Sequence, residues 1–180
     1  TFVNEIGLPT PAFAQVDDLA SLEAAVASLG RPCVLKTRRF GYDGKGQTLI
    51  RPETDLAQAW ESVGRQPSIL EAFVPFLREV SVIAARGASG DVVAYDVCEN
   101  EHHHHILAAT RLPATLGGAA AHAAIEHAAR IATALDYVGV LAVEMFVLGG
   151  PDGERVLINE IAPRVHNSGH WTIEGAETSQ

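Results

Sequence analysis

Two glutamates stand where carboxylates are hard to place: Glu144 interrupts the apolar run VLAVEMFVL and Glu160 interrupts VLINEIA. Carboxylates are seldom fully buried unless paired or metal-bound. If the GGPDGE connection is symmetric about Asp152, Leu148 faces Val156 and Glu144 faces Glu160 across an antiparallel ladder. Like charges so opposed need a cation or a shared proton, and oxygen ligands near phosphates favour Mg²⁺. Two other readings stay open: the register slips by one residue, or both glutamates face solvent on an edge.

The stretch KTRRFGYDGKGQ, residues 36–47, places three glycines and four cationic residues in twelve positions. A strand before it (PCVLK) and one after it (QTLI) put Gly41, Gly44 and Gly46 at a hairpin tip. Such a tip brings backbone N–H groups close to phosphate oxygens, and Lys36, Arg38, Arg39 and Lys45 offset negative charge. Neither a Walker loop nor G-x-G-x-x-G fits, because Gln47 and Thr48 follow Gly46 and no helix opens there. An ordinary Asp-Gly hairpin turn with solvated charges is the other reading.

Glu71 in LEAFV and Glu79 in REVSV flank FVPF, a lobe boundary. A nucleotide between lobes would have its base read by backbone groups of Glu71 to Val74 and its ribose by a carboxylate; strand-surface salt bridges, for example with Arg78, are the plainer alternative. APRVHNSGHW gathers Arg164, His166, Asn167, Ser168, His170 and Trp171 just after Glu160, a group suited to oxyanions. A Ser-His-Asp triad lacks its nucleophile elbow. His102 to His105 run through a strand-like segment, so alternate rings face opposite sides and His102 is the one assigned to the cleft.

These groups need elements to hold them. DDLASLEAAVASLG sets Leu19, Leu22, Val26 and Leu29 at helical spacing, with Asp17 or Asp18 as N-cap and Gly30 as stop; ETDLAQAWESVG repeats the pattern up to Gly64. SILEAFV, REVSVIAARG, VVAYDVCENEH and HILAATRLPA read as successive strands of an antiparallel meander. A helix over 119–135 and two apolar strands follow. The order predicts an α+β protein, with a small lobe over 1–74 and a larger sheet lobe over 75–180.

With 180 residues, 47% hydrophobic and 19% charged, the chain suits one domain or two small lobes. A net charge of −9 argues against nucleic acid or an anionic membrane as partner. Cys33 and Cys98 lie in apolar runs without a C-x-x-C partner and read as buried thiols of a reducing, cytoplasmic setting. No apolar stretch is long enough to span a bilayer. Beginning without Met and ending in EGAETSQ, the chain reads as a piece of a longer protein.

GLPTPAF, VLKTRRFGYDGKGQ, EAFVPFLREVSVI, ENEH, VLAVEMFVL and NEIAPRVHNSGHWTIEGA together resemble ATP-grasp enzymes, and within them the N5-carboxyaminoimidazole ribonucleotide synthetase family. The resemblance implies an ATP-grasp fold of two lobes with antiparallel sheets, flanking helices and a nucleotide cleft between them. It implies that Lys36 and the lid residues Gly41, Tyr42, Asp43, Gly44, Lys45, Gly46 and Gln47 cover the ATP phosphates. Glu71, Ala72, Phe73 and Val74 would hold adenine, Glu79 the ribose, and His102 a further nucleotide contact. Glu144 and Glu160 would carry Mg²⁺ with Asn159 beside them. Arg164, His166 and Asn167 would orient bicarbonate or carboxyphosphate, and 5-aminoimidazole ribonucleotide would be the acceptor. Family members are expected to be homodimers with an N-terminal and a C-terminal domain outside this stretch, without which the piece would be inactive. Another ATP-grasp carboxylate–amine ligase, of the formate-dependent transformylase or biotin carboxylase type, would share the lid and paired glutamates but not RVHNSGHW. A non-catalytic ATP-binding domain and a zinc module built on His102 to His105 are the further alternatives.

Overall fold

The computed structural model describes residues 2–39, 46–104 and 106–180. Contacts group the chain into two compact units: Pro11–Val74 with His104–Ile106, and Thr1–Thr10 with Pro75–His103 and Leu107–Gln180. Residues 1–10, which the sequence reading counts with the 1–74 lobe, make their contacts in the larger unit. After the short helix α1 (Phe2–Glu5), Leu8 is buried in that unit's core and the Pro9 carbonyl accepts the Ile158 N–H at 2.9 Å.

The smaller unit holds β1 (Phe13–Val16), α2 (Leu19–Leu29), β2 (Cys33–Thr37), β3 (Gln47–Ile50), α3 (Leu56–Ser62) and β4 (Ser68–Ala72). Its sheet is antiparallel in the order β1-β4-β2-β3. Alternation decides its two faces: Cys33 and Leu35 are buried with Val16, Leu22, Ile50 and Leu70, while Val34 and Lys36 take the other side. Asp18 is the N-cap of α2, exchanging hydrogen bonds with Ser21, and Gly30 ends the helix at φ 79°. Asp55 caps α3 by accepting from the Gln58 N–H.

The larger unit is a six-stranded antiparallel sheet of β5 (Arg78–Arg86), β6 (Val92–Ala94), β7 (Cys98–His103), β8 (Ile106–Arg111), β9 (Gly139–Leu148) and β10 (Arg155–Ala162), in the order β10-β9-β5-β7-β8 with β6 on β5. This corrects the meander. SILEA lies in the small sheet because Ser68 and Leu70 are buried there. VVAYDVCENEH breaks into β6 and β7, and β5 takes β9 as its long partner. The reason is burial: residues 80–84 of β5 are all buried, so this strand must be central, and β9 supplies the other long apolar strand.

Helix α4 (Gly118–Ala134) covers one face of that sheet. Ala120, Ala124, Ala128 and Ile131 recur at helical spacing and are buried. Ala124, Ala128 and Ile131 pack on Val80, Val82, Leu141, Val143, Met145, Val147, Val156 and Ile158. The opposite face carries Glu79, Ser81 and Glu144 beside a small buried apolar cluster of Ile83, Ala142 and Ala162.

Candidate active site

On that opposite face Glu144 and Glu160 do meet, by a route the symmetric turn does not foresee. Leu148 pairs with Arg155, not Val156, and the ladder continues in that register to Met145 with Ile158. One extra residue at Asn159 then restores Glu160 to Glu144. Such a bulge sets two residues of one strand against one of its partner and re-aims the side chains. Without it Glu160 would share the core face of Ile158; with it the carboxylate leaves the core and is exposed. Asn159, Glu160 and Glu144 offer oxygen donors only, a set that fits a hard divalent cation completing its shell with water and phosphate oxygens. Among the described residues no three His, Cys, Asp or Glu gather as a metal cluster.

Register carries the rung further. Ser81 stands beside Glu144 and Cys98 beside Ser81; one step along, Glu79 lies between Phe146 and Asn100. Phe76 stacks on Phe146 with ring centroids 4.7 Å apart. His102 Nδ1 sits 2.5 Å from Glu79 Oε2, in a direction outside that of a normal hydrogen bond. The Glu79 carboxylate lifts the His102 pKa above its ordinary 6.5, against the opposing effect of burial and with smaller help from the Glu144 charge. His103 instead turns to Glu101 at 3.0 Å, and His104 is a turn residue at φ 51°. Among the described residues of the histidine run, the strand therefore reaches His103 and ends before His104.

His166 reaches the rung from the segment after β10. It caps a short 3₁₀ turn, Asn167–Gly169, and its Nε2 lies 2.8 Å from Glu144 Oε1. Gln180 clamps its backbone on both sides, accepting from the His166 N–H at 2.9 Å and donating to the His166 carbonyl at 2.8 Å. Arg164 and Asn167 flank it on the exposed surface, Arg164 donating to the Val165 carbonyl at 2.8 Å.

In the smaller unit Lys36 Nζ and Glu71 Oε2 form an ion pair at 2.6 Å, diagonal across β2 and β4. Gly46 has φ 75°, and a Cβ there would come within 2.6 Å of Thr37 Oγ1, so glycine is required where the chain enters β3. Gln47 opens β3 opposite Lys36. The Ala72 and Phe73 N–H groups are spent on the Ala12 and Pro32 carbonyls, at 2.8 and 3.3 Å, and Val74 follows them. Gly41, Tyr42, Asp43, Gly44, Lys45 and His105 lie outside the described residues.

Three polar residues of the site were missed: Ser81, Asn100 and Thr110. Ser81, wholly buried, donates to Ser168 Oγ at 2.8 Å, and Asn100 donates to Ser81 at 2.9 Å. The signal that exposed Glu144, a polar residue inside an apolar strand, was present at Ser81 in REVSVIAAR.

The whole chain, residues 1–180, matches the model of the ATP-grasp domain. It belongs to the ATP-grasp family. The domain is 48% identical over 178 residues to the N5-carboxyaminoimidazole ribonucleotide synthase of Pseudomonas aeruginosa, covering 98% of this chain and 48% of that protein. A solved ADP complex of an N5-carboxyaminoimidazole ribonucleotide synthetase superposes with a TM-score of 0.91 at 43% identity, covering 99% of this chain and 46% of that one. The Aspergillus clavatus N5-carboxyaminoimidazole synthase, solved with ADP and 5-aminoimidazole ribonucleotide, gives 0.87 at 29% identity over 99% and 46% of the two chains. This ATP-grasp domain thus spans about half the length of the relatives it matches. No helix among the described residues is long and apolar enough to cross a membrane.

Proposed function

We propose that this ATP-grasp domain carries the ATP- and Mg²⁺-dependent carboxylation of 5-aminoimidazole ribonucleotide by bicarbonate, a step of purine synthesis. The observation that carries this reading is the bulged rung, in which Asn159 and Glu160 stand against Glu144 while His166 of RVHNSGHW holds Glu144 from the other side.

A bicarbonate oxygen attacks the γ-phosphorus, the bond to the β-phosphate oxygen breaks, and ADP leaves with carboxyphosphate formed. The exocyclic amine then attacks the carboxyl carbon, loses a proton, and inorganic phosphate departs. Glu144 and Glu160, with Asn159 beside them, would hold Mg²⁺, which when bound would neutralise charge on the phosphates. Lys36 would exchange its Glu71 partner for phosphate oxygens, the lid residues 41–47 would cover them, and water would be kept from the labile anhydride. Residues 71–74 would hold adenine, Glu79 with His102 the ribose side, and Arg164, His166 and Asn167 the bicarbonate. The setting we infer is the cytoplasm, where the free buried thiols Cys33 and Cys98 persist. The full-length assembly we infer is a homodimer.

ADP release from the full-length protein tests this. Release should require both bicarbonate and the aminoimidazole, stop when formate replaces bicarbonate, and fall by about 100-fold or more in Glu160→Gln. Release driven by formate, or indifferent to the aminoimidazole, overturns it. Because the chain spans half of its relatives, nucleotide binding without turnover is the second reading for these 180 residues alone. It shows as stabilisation by ATP with no acceptor-dependent ADP.

A further inference from the structure

Beneath Glu144 lies a series of hydrogen bonds whose direction is set from its His166 end. The Ser168 backbone N–H can only donate, and it points at His166 Nδ1 at 3.3 Å. Nδ1 is therefore an acceptor, and the ring proton sits on Nε2, facing Glu144 Oε1 at 2.8 Å. The Ser168 hydroxyl, 2.9 Å from the same Nδ1, must then spend its proton there. With that proton committed, Ser168 Oγ accepts from Ser81 Oγ at 2.8 Å, and Ser81 in turn accepts from Asn100 Nδ2 at 2.9 Å. A flipped Asn100 amide would set two acceptors face to face at Ser81, so Oδ1 points the other way and accepts from Thr110 Oγ1 at 3.2 Å.

The geometry points to Thr110, Asn100, Ser81 and Ser168 as positioning residues that act in one direction to hold His166 as the Nε2–H tautomer against Glu144. The functional consequence rests on the reading of Glu144 as a cation ligand. The imidazole holds one carboxylate oxygen, which fixes the orientation of the Glu144 carboxylate. Fully satisfied buried polar series of this kind rigidify what they end on, and partners behind a ligand commonly set metal affinity. Ser81, Asn100 and Ser168 are buried and Cys98 Sγ packs against the Ser168 carbonyl at 3.6 Å, so the middle of the series is closed off from bulk water, with half-buried Thr110 at its outer end.

The test is the ¹⁵N resonances of the His166 ring in the full chain, identified by their loss in His166→Gln. The expected result is an unprotonated Nδ1 and a protonated Nε2. In Ser81→Ala both resonances should move toward the average of the two tautomers, and in Thr110→Val they should move less in the same direction, with Thr110→Ser restoring the original positions. A protonated Nδ1 in the unsubstituted chain overturns the proposal, as do ring resonances unchanged in a folded Ser81→Ala. Should Ser81→Ala lose its dispersed amide spectrum, Thr110→Val against Thr110→Ser decides alone, and unchanged resonances there overturn it. A second readout is the Mg²⁺ midpoint for ADP binding, expected to rise about 10-fold in Ser81→Ala. If ADP does not bind the unsubstituted chain, the nucleotide reading falls while the ring resonances still decide the positioning role.

Discussion

Lys36 and Glu71 show how a single pair separates a ligand role from a structural one. Their ion pair at 2.6 Å is partly exposed, and such pairs contribute little, so Lys36→Met should change unfolding free energy by no more than about 1 kcal/mol. ADP affinity should nonetheless drop about 10-fold or more in a titration, since a cation lost from phosphate is not replaced. A large stability loss with unchanged affinity would make the pair a brace. His102 yields a second residue-level expectation. Its pKa is raised by Glu79, so the protonated form is the one the fold favours. Its contribution is fully present below the unfolded value near 6.5 and is lost as pH rises through the folded value. Urea denaturation should therefore separate the unsubstituted chain from His102→Gln most at pH below about 6, with the gap closing at alkaline pH; a gap that widened with pH would contradict the Glu79 contact. The carboxylates of this site were legible because a charge in an apolar strand demands an explanation. Ser81 carried a weaker form of that signal, but its partners Asn100 and Ser168 lie 19 and 87 positions away, so nothing local in the sequence named its role.

Strands and their register decide what those residues can do together. The pairing of Glu144 with Glu160 was foreseen from a symmetric turn, yet the turn starts one residue off and the bulge at Asn159 makes up the difference. Turn residues and apolar alternation do not encode a bulge, since a bulge costs the ladder one pairing and is recovered only through what it re-aims. Deleting Asn159 leaves Ile158 and Glu160 on their present faces and straightens β10. The expected outcome is a melting temperature unchanged or raised, with Mg²⁺-dependent ADP binding weakened about 10-fold. A marked fall in melting temperature instead would assign the bulge to folding. Helix α2 was readable from period and caps and α4 from period, whereas the neighbours of β5 were not. Strand order depends on which apolar strand can bury both faces of another, and that is a long-range property.

At the scale of the whole molecule, two cores are closed separately. Val16, Leu22, Leu35, Ile50 and Leu70 belong to one of the two larger clusters and Val80, Val82, Ile131, Leu141 and Met145 to the other, and among the described residues the two share none. Each core is sealed by its own helices, so losing one need not open the other. Leu35→Ala removes a wholly buried side chain from the smaller core and should cost that unit about 2–5 kcal/mol. Amide hydrogen exchange gives the sharpest check. Protection should fall in β2, β3 and β4, while β5 and β9, the most buried strands of the larger sheet, keep theirs. A loss of protection of equal size in both sheets would mean that the two cores unfold as one cooperative body. In that case a substitution in either unit would draw on the same stability reserve that keeps Glu144, Glu160 and His166 in register.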